Sequence, residues 1–403
     1  MKIFKIIGIL LCTLLLVLLL EYILSSNTVD KIKLSNSENL FQTLEKLENV
    51  KLLRPQDIKV DTDTWKALSS VCVQSQSGDS NWFGFSTAIN NEHLVIGDPK
   101  ANRVIVYNRD EDKKWLRSTE ILPPKDSLAE QVGSGFGGNL ALDGNTLVIL
   151  AETENPSSDY SLFRAVYRTF LDQKNLVERI DVDRKDLIIG NRIAADNGKI
   201  VFTEQEKNKN GLINKTYVNI LTNLKIKRIR KKNSIFNAVS IKNNILLIGD
   251  IELQNKTYAW KVDLNSFFPK LKKLSLPFIH LGREVAISDR FFAANVGLSL
   301  NILEHNYETT IVKSINNDST VVFYDSDFSK VYLDRNILAR VKFSEPMIPG
   351  SNSILEIYRL DNNAMPHLIL KRVKHDGKGY RVTLQNGFLV TTQTEQVCIE
   401  NFY

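Results

Sequence analysis

The residues that could carry chemistry are scattered along the chain and form no known catalytic pattern. The five histidines lack metal-ligand spacing, since neither H-E-x-x-H nor Cys-x-x-Cys occurs. No G-x-S-x-G elbow and no Ser-His-Asp set stands out. The histidines are His93, His280, His305, His367 and His375. We therefore predict no cofactor, no metal site and no catalytic residues that can be identified along the sequence.

Paired acids are a second candidate. In a strand, Asp-x-Asp places both carboxylates on one face, where they could bind a metal or share a proton. The pairs are Asp61 with Asp63, Asp110 with Asp112, Asp181 with Asp183, and Asp325 with Asp327. Because they occupy different places in the repeat described below, soluble loops explain them better than a shared site.

A glycine-rich stretch, Gly133–Gly138, matches the dinucleotide fingerprint G-x-G-x-x-G. That fingerprint follows a buried strand and opens a helix, whereas a strand hairpin follows here. We therefore interpret the stretch as a loop between repeats and not as a nucleotide site.

The strongest charge feature is a run of cations on a predicted outer strand. Its members are Lys225, Lys227, Arg228, Arg230, Lys231 and Lys232, and Lys270, Lys272 and Lys273 hold the corresponding place one repeat later. One hypothesis is an anion-binding rim for an acidic glycan, lipid headgroups or a nucleic acid. The other, which we favour, is that lysines on an outer strand block edge-to-edge pairing.

These residues are carried by a repeated β-hairpin. Its best copy, Phe136–Leu150, alternates apolar residues up to Leu142, turns at Asp143-Gly144-Asn145 and continues in a β-rich apolar run. Seven copies follow one another at intervals of about 50 residues, the period of propeller blades. The residue before each turn, called here the reference position, is Ala88, Ala141, Ala194, Ser240, Ala286, Tyr332 and Thr383.

Each repeat adds two further predicted strands, which makes four-stranded blades. In the fifth copy we place these strands at Leu298–Leu300 and Glu308–Val312. The seventh copy ends one strand short, and the segment Trp65–Val73 can supply it. We therefore predict an all-β, seven-bladed propeller over residues 65–403 that is closed by an N-terminal strand, which removes its open edge.

The best copies resemble a known family. Phe83-Gly84 with Leu94–Pro99, and Phe136-Gly137 with Ala141–Ala151, are similar to FG-GAP repeats, the blades of the integrin alpha-subunit head and of many bacterial surface proteins. The resemblance implies a binding propeller whose loops present a partner surface. Many repeats of that family hold calcium in an Asp-rich loop, but the loops here, such as Asn90–Glu92, have too few carboxylates, so we expect no calcium there.

Two cysteines fall on the strands that would close the ring. Cys72 lies on the N-terminal strand and Cys398 on the last strand of the seventh blade. A disulfide between them and a pair of buried thiols are both open, because only some facing pairs on adjacent strands come within bridging distance.

The N-terminus predicts export. Residues 1–26 begin with lysines and continue as an apolar run over Ile6–Leu24 that Glu21 interrupts. This segment fits either an uncleaved membrane anchor, which we favour, or a cleaved signal peptide. Residues 27–64 read as a stalk with a short amphipathic helix that carries Leu40, Leu44, Leu47 and Val50 on one face.

Composition and location limit the function. The net charge is only +6 and 43% of the residues are hydrophobic, which suits a folded chain, and we expect no nucleic acid partner. We predict a non-catalytic, membrane-anchored, extracytoplasmic propeller that binds a protein or an anionic polysaccharide. The alternatives are a hydrolase or lyase with its site in the central funnel, and a structural part of an envelope complex. Oligomeric state stays open.

Overall fold

The structure is a computed structural model of the chain. It describes residues 50–402 outside the following gaps: 54–56, 59–69, 81, 126–134, 155–161, 174–175, 181–186, 208–212, 223–224, 233, 253–256, 267–268, 275–280, 298–307, 316–318, 324–327, 344–352, 375–379 and 394–395. Two units are distinguished, Met1–Leu52 and Leu53–Tyr403, and the second contains the blades.

Within the described residues the chain forms seven sheets, one for each blade, after an initial strand β1 (Val50–Leu53). Blade 1 contains β3 (Ser86–Ile89), β4 (His93–Asp98), β5 (Arg103–Arg109) and β6 (Trp115–Ile121). Blade 2 contains β7 (Phe136–Asp143), β8 (Thr146–Glu154), β9 (Leu162–Phe170) and β10 (Glu178–Arg179). Blade 3 contains β11 (Leu187–Asp196), β12 (Lys199–Lys207), β13 (Ile213–Thr222) and β14 (Lys225–Lys232).

The remaining blades follow the same plan. Blade 4 contains β15 (Ser234–Lys242), β16 (Ile245–Glu252), β17 (Thr257–Asp263) and β18 (Lys272–Leu274). Blade 5 contains β19 (Leu281–Ile287), β20 (Phe291–Gly297), β21 (Glu308–Ser314) and β22 (Thr320–Phe323). Blade 6 contains β23 (Phe328–Asp334), β24 (Ile337–Phe343), β25 (Ser353–Leu360) and β26 (Pro366–Lys374). Blade 7 contains β27 (Arg381–Gln385), β28 (Phe388–Gln393), β29 (Gln396–Asn401) and β2 (Val71–Gln74).

The seven blades close into a ring. Each blade is an antiparallel sheet in which the strands follow one another from the inside outward. The first strand of each blade contacts the first strand of the next, and β27 contacts β3, so the inner strands surround one central axis. The predicted seven-bladed propeller of four-stranded blades is therefore confirmed.

The core lies between the blades. For example, Val95 and Val104 of blade 1 pack with Leu140 and Leu147 of blade 2 in one buried cluster. Two glycines allow close approach at this junction, because a Cβ on Gly97 would lie 2.1 Å from the carbonyl oxygen of Gly137. Gly137 has a φ of 92° and is the second residue of β7, so this part of the glycine-rich stretch belongs to an inner strand and serves backbone packing, whereas Gly133 and Ser134 lie outside the described residues.

The ring is closed by the N-terminal strand as expected. β2 pairs with β29, and Cys72 lies opposite Cys398 in their register. The two cysteines form a disulfide, with their Cα atoms 4.0 Å apart. The bond joins the third strand of blade 7 to its outermost strand, which comes from the N-terminal side of the first blade, and so encloses the propeller in one covalent loop of the chain.

Two assignments from the sequence were wrong, one to a strand and one to a helix. Glu308–Ser314 is the third strand of blade 5 and not the fourth, which is Thr320–Phe323. Repeat spacing alone misplaced this strand, because the connection between β20 and β21 is longer than the corresponding connection in the other blades. Leu298–Leu300, assigned to the third strand, lie outside the described residues. Val50, assigned to a helix face, lies in strand β1. Leu53 at the end of β1 is buried with Phe291 and Phe323, which extended backbone permits.

Apart from Val50, the N-terminal predictions stay predictions. Residues 1–49, including the apolar run over residues 6–24 and most of the predicted stalk helix, lie outside the described residues. Within the described part of the chain, no helix has the length and apolar character needed to cross a membrane.

Candidate functional site: a charged cluster in the central cavity

The inner strands of all seven blades line a central cavity of about 850 Å³. Small-molecule sites usually have about 300–1,000 Å³, so the cavity has the size of a ligand site. The position two residues before the reference position of each repeat lines one end of the cavity. Its occupants are Ser86, Asn139, Arg192, Ala238, Glu284, Lys330 and Arg381. Three cations and one carboxylate from four different blades therefore meet at this level.

We call Arg192, Glu284, Lys330, Tyr332 and Arg381 the cavity cluster. Its internal ion pair joins Arg192 Nη2 to Glu284 Oε1 at 3.0 Å. Lys330 has no carboxylate within ion-pair distance among the described residues, and Arg381 contacts the face of an aromatic ring instead. The guanidinium carbon of Arg381 lies 4.1 Å from the ring centre of Phe85. The cluster therefore has more positive charge than its own carboxylate can neutralise.

Burial and mutual repulsion shift the ionisation of the cluster. Burial lowers the pKa of Lys330, and the positive charges of Arg192 and Arg381 lower it further, whereas Glu284 acts in the opposite direction. Burial likewise lowers the pKa of Arg381. Burial raises the pKa of Tyr332 to about 12, so its phenol keeps its proton. A bound anion would stabilise the charged forms of Lys330 and Arg381 and relieve this cost.

The opposite end of the cavity is built differently. There the turns after the inner strands bond to the turns or strands of neighbouring blades. The side chains that make these bonds, called here the turn ring, are Asn90, Asp143, Asp196, Asn243, Ser288, Asp334 and Asn386. Asp196, for example, accepts from the Asn243 backbone N–H at 2.8 Å and from Lys242 Nζ at 3.1 Å. The turn residues considered for calcium thus form hydrogen bonds that link neighbouring blades.

The basic run is divided by the structure. It forms β14, the outer strand of blade 3, as predicted. Lys231 Nζ bonds to the buried Asp250 at 2.6 Å, and Arg228 lies 3.1 Å from the buried Glu204. These two cations therefore neutralise acids inside the molecule. The other four, Lys225, Lys227, Arg230 and Lys232, are exposed.

The other candidates have local roles or lie outside the described residues. His93 bridges two blades, since its ring nitrogens lie 3.1 Å from the side-chain oxygens of Asn108 and Asn145. Asp110 organises the turn after β5 by accepting from Lys114 N at 2.7 Å, and Asp112 pairs with Lys114. The other three acidic pairs fall, wholly or in part, in the gaps given above, as do His280, His305 and His375.

Sequence reasoning missed the cavity cluster, although a signal for it was present. Read down the aligned repeats, the position two residues before the reference position holds a charged residue in the third, fifth, sixth and seventh copies. That position lies on the innermost strand, where charge is costly unless it is used. Scoring each aligned position for charge would have found Arg192, Glu284, Lys330 and Arg381.

Fold and cluster together define a seven-bladed β-propeller with a charged central cavity. No protein-family model matches the sequence, and no curated protein matches it. Among solved structures, the chain is similar to apo AztD from Citrobacter koseri at 11% identity and a TM-score of 0.44, covering 80% of this chain and 79% of that one. It is similar to YjhT at 11% identity and a TM-score of 0.41, covering 82% of this chain and 98% of that one. It is similar to a puromycin-hydrolyzing peptidase of Mycobacterium tuberculosis at 10% identity and a TM-score of 0.45, covering 80% of this chain and 50% of that one.

Proposed function

We propose that this chain is a binding propeller that holds an anionic ligand in its central cavity. One observation carries the proposal: Lys330 and Arg381 are partly buried beside Arg192, and among the described residues neither Lys330 nor Arg381 has a carboxylate within ion-pair distance. Desolvated cations without enough counter-charge are destabilising by themselves. They are explained if an anion completes the site.

Location and kinship are further parts of the proposal. The apolar N-terminal run supports a single-pass anchor, or a cleaved signal, with the propeller on the extracytoplasmic side. The Phe-Gly and Gly-Asp-Pro residues of the first repeats support an FG-GAP-like binding propeller. The exposed cations of β14 are a second proposed surface for an anionic polysaccharide, now without Arg228 and Lys231, which pair internally.

A citrate titration of the full-length chain tests the cavity against the rim. Citrate serves as a simple anionic probe, and calorimetry measures its affinity. The variant Lys330→Gln/Arg381→Gln removes two positive charges from the cavity, and Lys225→Gln/Lys232→Gln removes the same charge from the exposed rim. Each charge-assisted hydrogen bond contributes about 1.5–3 kcal/mol, so the loss of two should lower the affinity of the cavity variant at least about a hundredfold.

The rim variant is the matched control and should bind citrate as the unchanged chain does. A loss confined to the rim variant would move the site to β14. No heat of binding by the unchanged chain at low salt would refute the proposed anion site.

A propeller enzyme is the second candidate, because two groups with shifted pKa values share the cluster. Lys330 releases its proton more readily than an ordinary lysine, and Tyr332 retains its own. Such a pair suits proton transfer on a bound substrate. Incubating the chain with an oligosaccharide of uronic acids and following its NMR spectrum decides the matter. New product signals would support the enzyme, and an unchanged spectrum would favour binding alone.

A further inference from the structure

An aromatic platform adjoins the cavity cluster. The rings of Trp82 and Phe85 are stacked, with centroids 5.0 Å apart and planes at 13°. Phe85 lines the cavity and carries the Arg381 guanidinium on its ring, so it connects the cluster to Trp82. Trp82 itself is 44% exposed. A large aromatic surface therefore leads from solvent to the cations.

The platform is held rigidly in place. The Ser80 hydroxyl accepts from Trp82 N at 3.0 Å and donates to the fully buried Asp98. Gly84 lies between Trp82 and Phe85 along the chain and has a φ of 78°. A Cβ there would lie 2.5 Å from a methyl group of Thr392. Close packing on blade 7 thus fixes the backbone that presents both rings. Pre-organised aromatic surfaces lose little entropy on binding.

The cavity also has opposite charge at its two ends. The cluster end carries excess positive charge, whereas Asp143, Asp196 and Asp334 line the turn end with Lys242 as their cation. Asp143, Asp196 and Asp334 each lie four residues after the cluster-level position of their own strand, which is about 13 Å at a rise of about 3.3 Å per residue. A ligand that spans the cavity therefore meets cations at one end and hydrogen-bond acceptors at the other.

Resting on the proposed function, we propose that the ligand is an acidic saccharide, a short sugar chain that bears a carboxylate. Its carboxylate binds Lys330 and Arg381, and one sugar ring lies on Trp82. Sugar rings present C–H groups on their faces, and these pack on the electron-rich face of an indole. The hydroxyl groups of the next sugar donate to the carboxylates of the turn end, since an ionised carboxylate has about four acceptor sites and can accept from a ligand as well as from a neighbouring blade.

Polyphosphates and nucleotides fit this arrangement less well. A phosphate carries more negative charge than one carboxylate and has only acceptor oxygens when ionised. The carboxylates at the turn end would repel it, and they can accept hydrogen bonds from sugar hydroxyls. A single carboxylate followed by hydroxyl groups matches both ends of the cavity.

Calorimetry with three probes on the full-length chain tests this assignment. The probes are a disaccharide of uronic acids, its neutral counterpart, and uridine monophosphate. We expect the acidic disaccharide to bind at least about tenfold more tightly than either of the others, which corresponds to about 1.4 kcal/mol. Equal or tighter binding of the nucleotide would overturn the saccharide class.

The platform is tested by Trp82→Ala, with Trp82→Phe as the conservative variant and Leu116→Ala as an exposed apolar control on blade 1. Trp82→Ala should weaken the acidic disaccharide about tenfold, Trp82→Phe should restore most of that loss, and Leu116→Ala should have no effect. The loss for citrate should be several times smaller, because citrate has no sugar ring. Retained disaccharide affinity in Trp82→Ala would refute the platform, whereas failure of the anion site would appear separately as absent citrate binding.

Discussion

Two lysines in the same cavity show how one scaffold treats charge in opposite ways. Lys242 lies at the turn end and bonds to Asp196 at 3.1 Å. Burial alone would lower the pKa of Lys242, but Asp196, Asp289 and Asp334 outweigh it and raise that pKa. Lys330 lies at the cluster end, where burial, Arg192 and Arg381 lower its pKa. Lys242 therefore stabilises the fold. Lys330 destabilises it, and a bound anion would offset that destabilisation.

The difference arises from what surrounds each level of the inner strands. At the turn ring, each polar side chain makes a hydrogen bond with a neighbouring blade, to its backbone in six cases and to the Asp289 side chain in the case of Asn243. At the cluster, the cations outnumber the carboxylate paired with them. Polar groups that are satisfied internally support architecture, and those that are not are candidates for binding. Three experiments can break or sharpen this contrast.

Removing a side chain that links two blades should have the largest effect on the free energy of unfolding. Asp196→Ala leaves the Asn243 N–H and Lys242 without their acceptor, so the free energy of unfolding should fall by about 2 kcal/mol. Urea denaturation measures it. Asp196→Asn keeps an acceptor oxygen and should lose less. Asp263→Ala is the matched control, because Asp263 accepts from Asn265 N at 2.9 Å within its own turn. If Asp196→Ala and Asp263→Ala cost the same, the turn ring is not what joins the blades.

The same substitution at the two lysines should have opposite signs. Lys330→Met removes a partly buried cation from a repulsive cluster and should raise the free energy of unfolding by about 1 kcal/mol. Lys242→Met removes the partner of Asp196 and should lower it by about 1 kcal/mol. Thermal unfolding of both variants beside the unchanged chain measures the shifts. A destabilised Lys330→Met would mean that Lys330 is a structural group and would contradict its role in binding.

The smallest signal is the order of the two lysine pKa values. NMR of ¹³C-methylated lysines should show Lys330 titrating below the ordinary value of about 10.4 and Lys242 above it. Lys330→Arg and Lys242→Arg assign the signals. The groups facing Lys330 are Arg192, Glu284 and Arg381. The pKa of Lys330 falls on folding, so its contribution to stability rises as the pH rises through that pKa.

Lys242 has the opposite linkage. Its pKa rises on folding, so the stability it contributes is present at lower pH and is lost as the pH rises through the raised value. Adding citrate should move the Lys330 signal back toward the ordinary value and leave the Lys242 signal in place. Coincident titration of the two lysines would remove the contrast between the two ends.

The architecture could be predicted from the sequence because the same pattern recurs in every repeat. Alternating apolar residues around turns such as Asp143-Gly144 recur at blade spacing, and each copy supports the others. The short seventh repeat and the early strand near Cys72 together predicted how the ring closes. A single irregular connection was enough to shift β21 and β22, because apolar pattern specifies faces and not loop lengths.

Tertiary structure decided which charges are used and how. Arg228 and Lys231 have the same residue types as the rest of the basic run, and only the structure shows that Arg228 meets Glu204 within blade 3 and that Lys231 meets Asp250 of blade 4. Arg192, Glu284, Lys330 and Arg381 are far apart along the chain, and ring closure brings them to one level of the cavity. Local sequence determines which face of a strand a side chain occupies. The partners of a charge, and hence its energy and its role, depend on residues that only the closed ring places beside it.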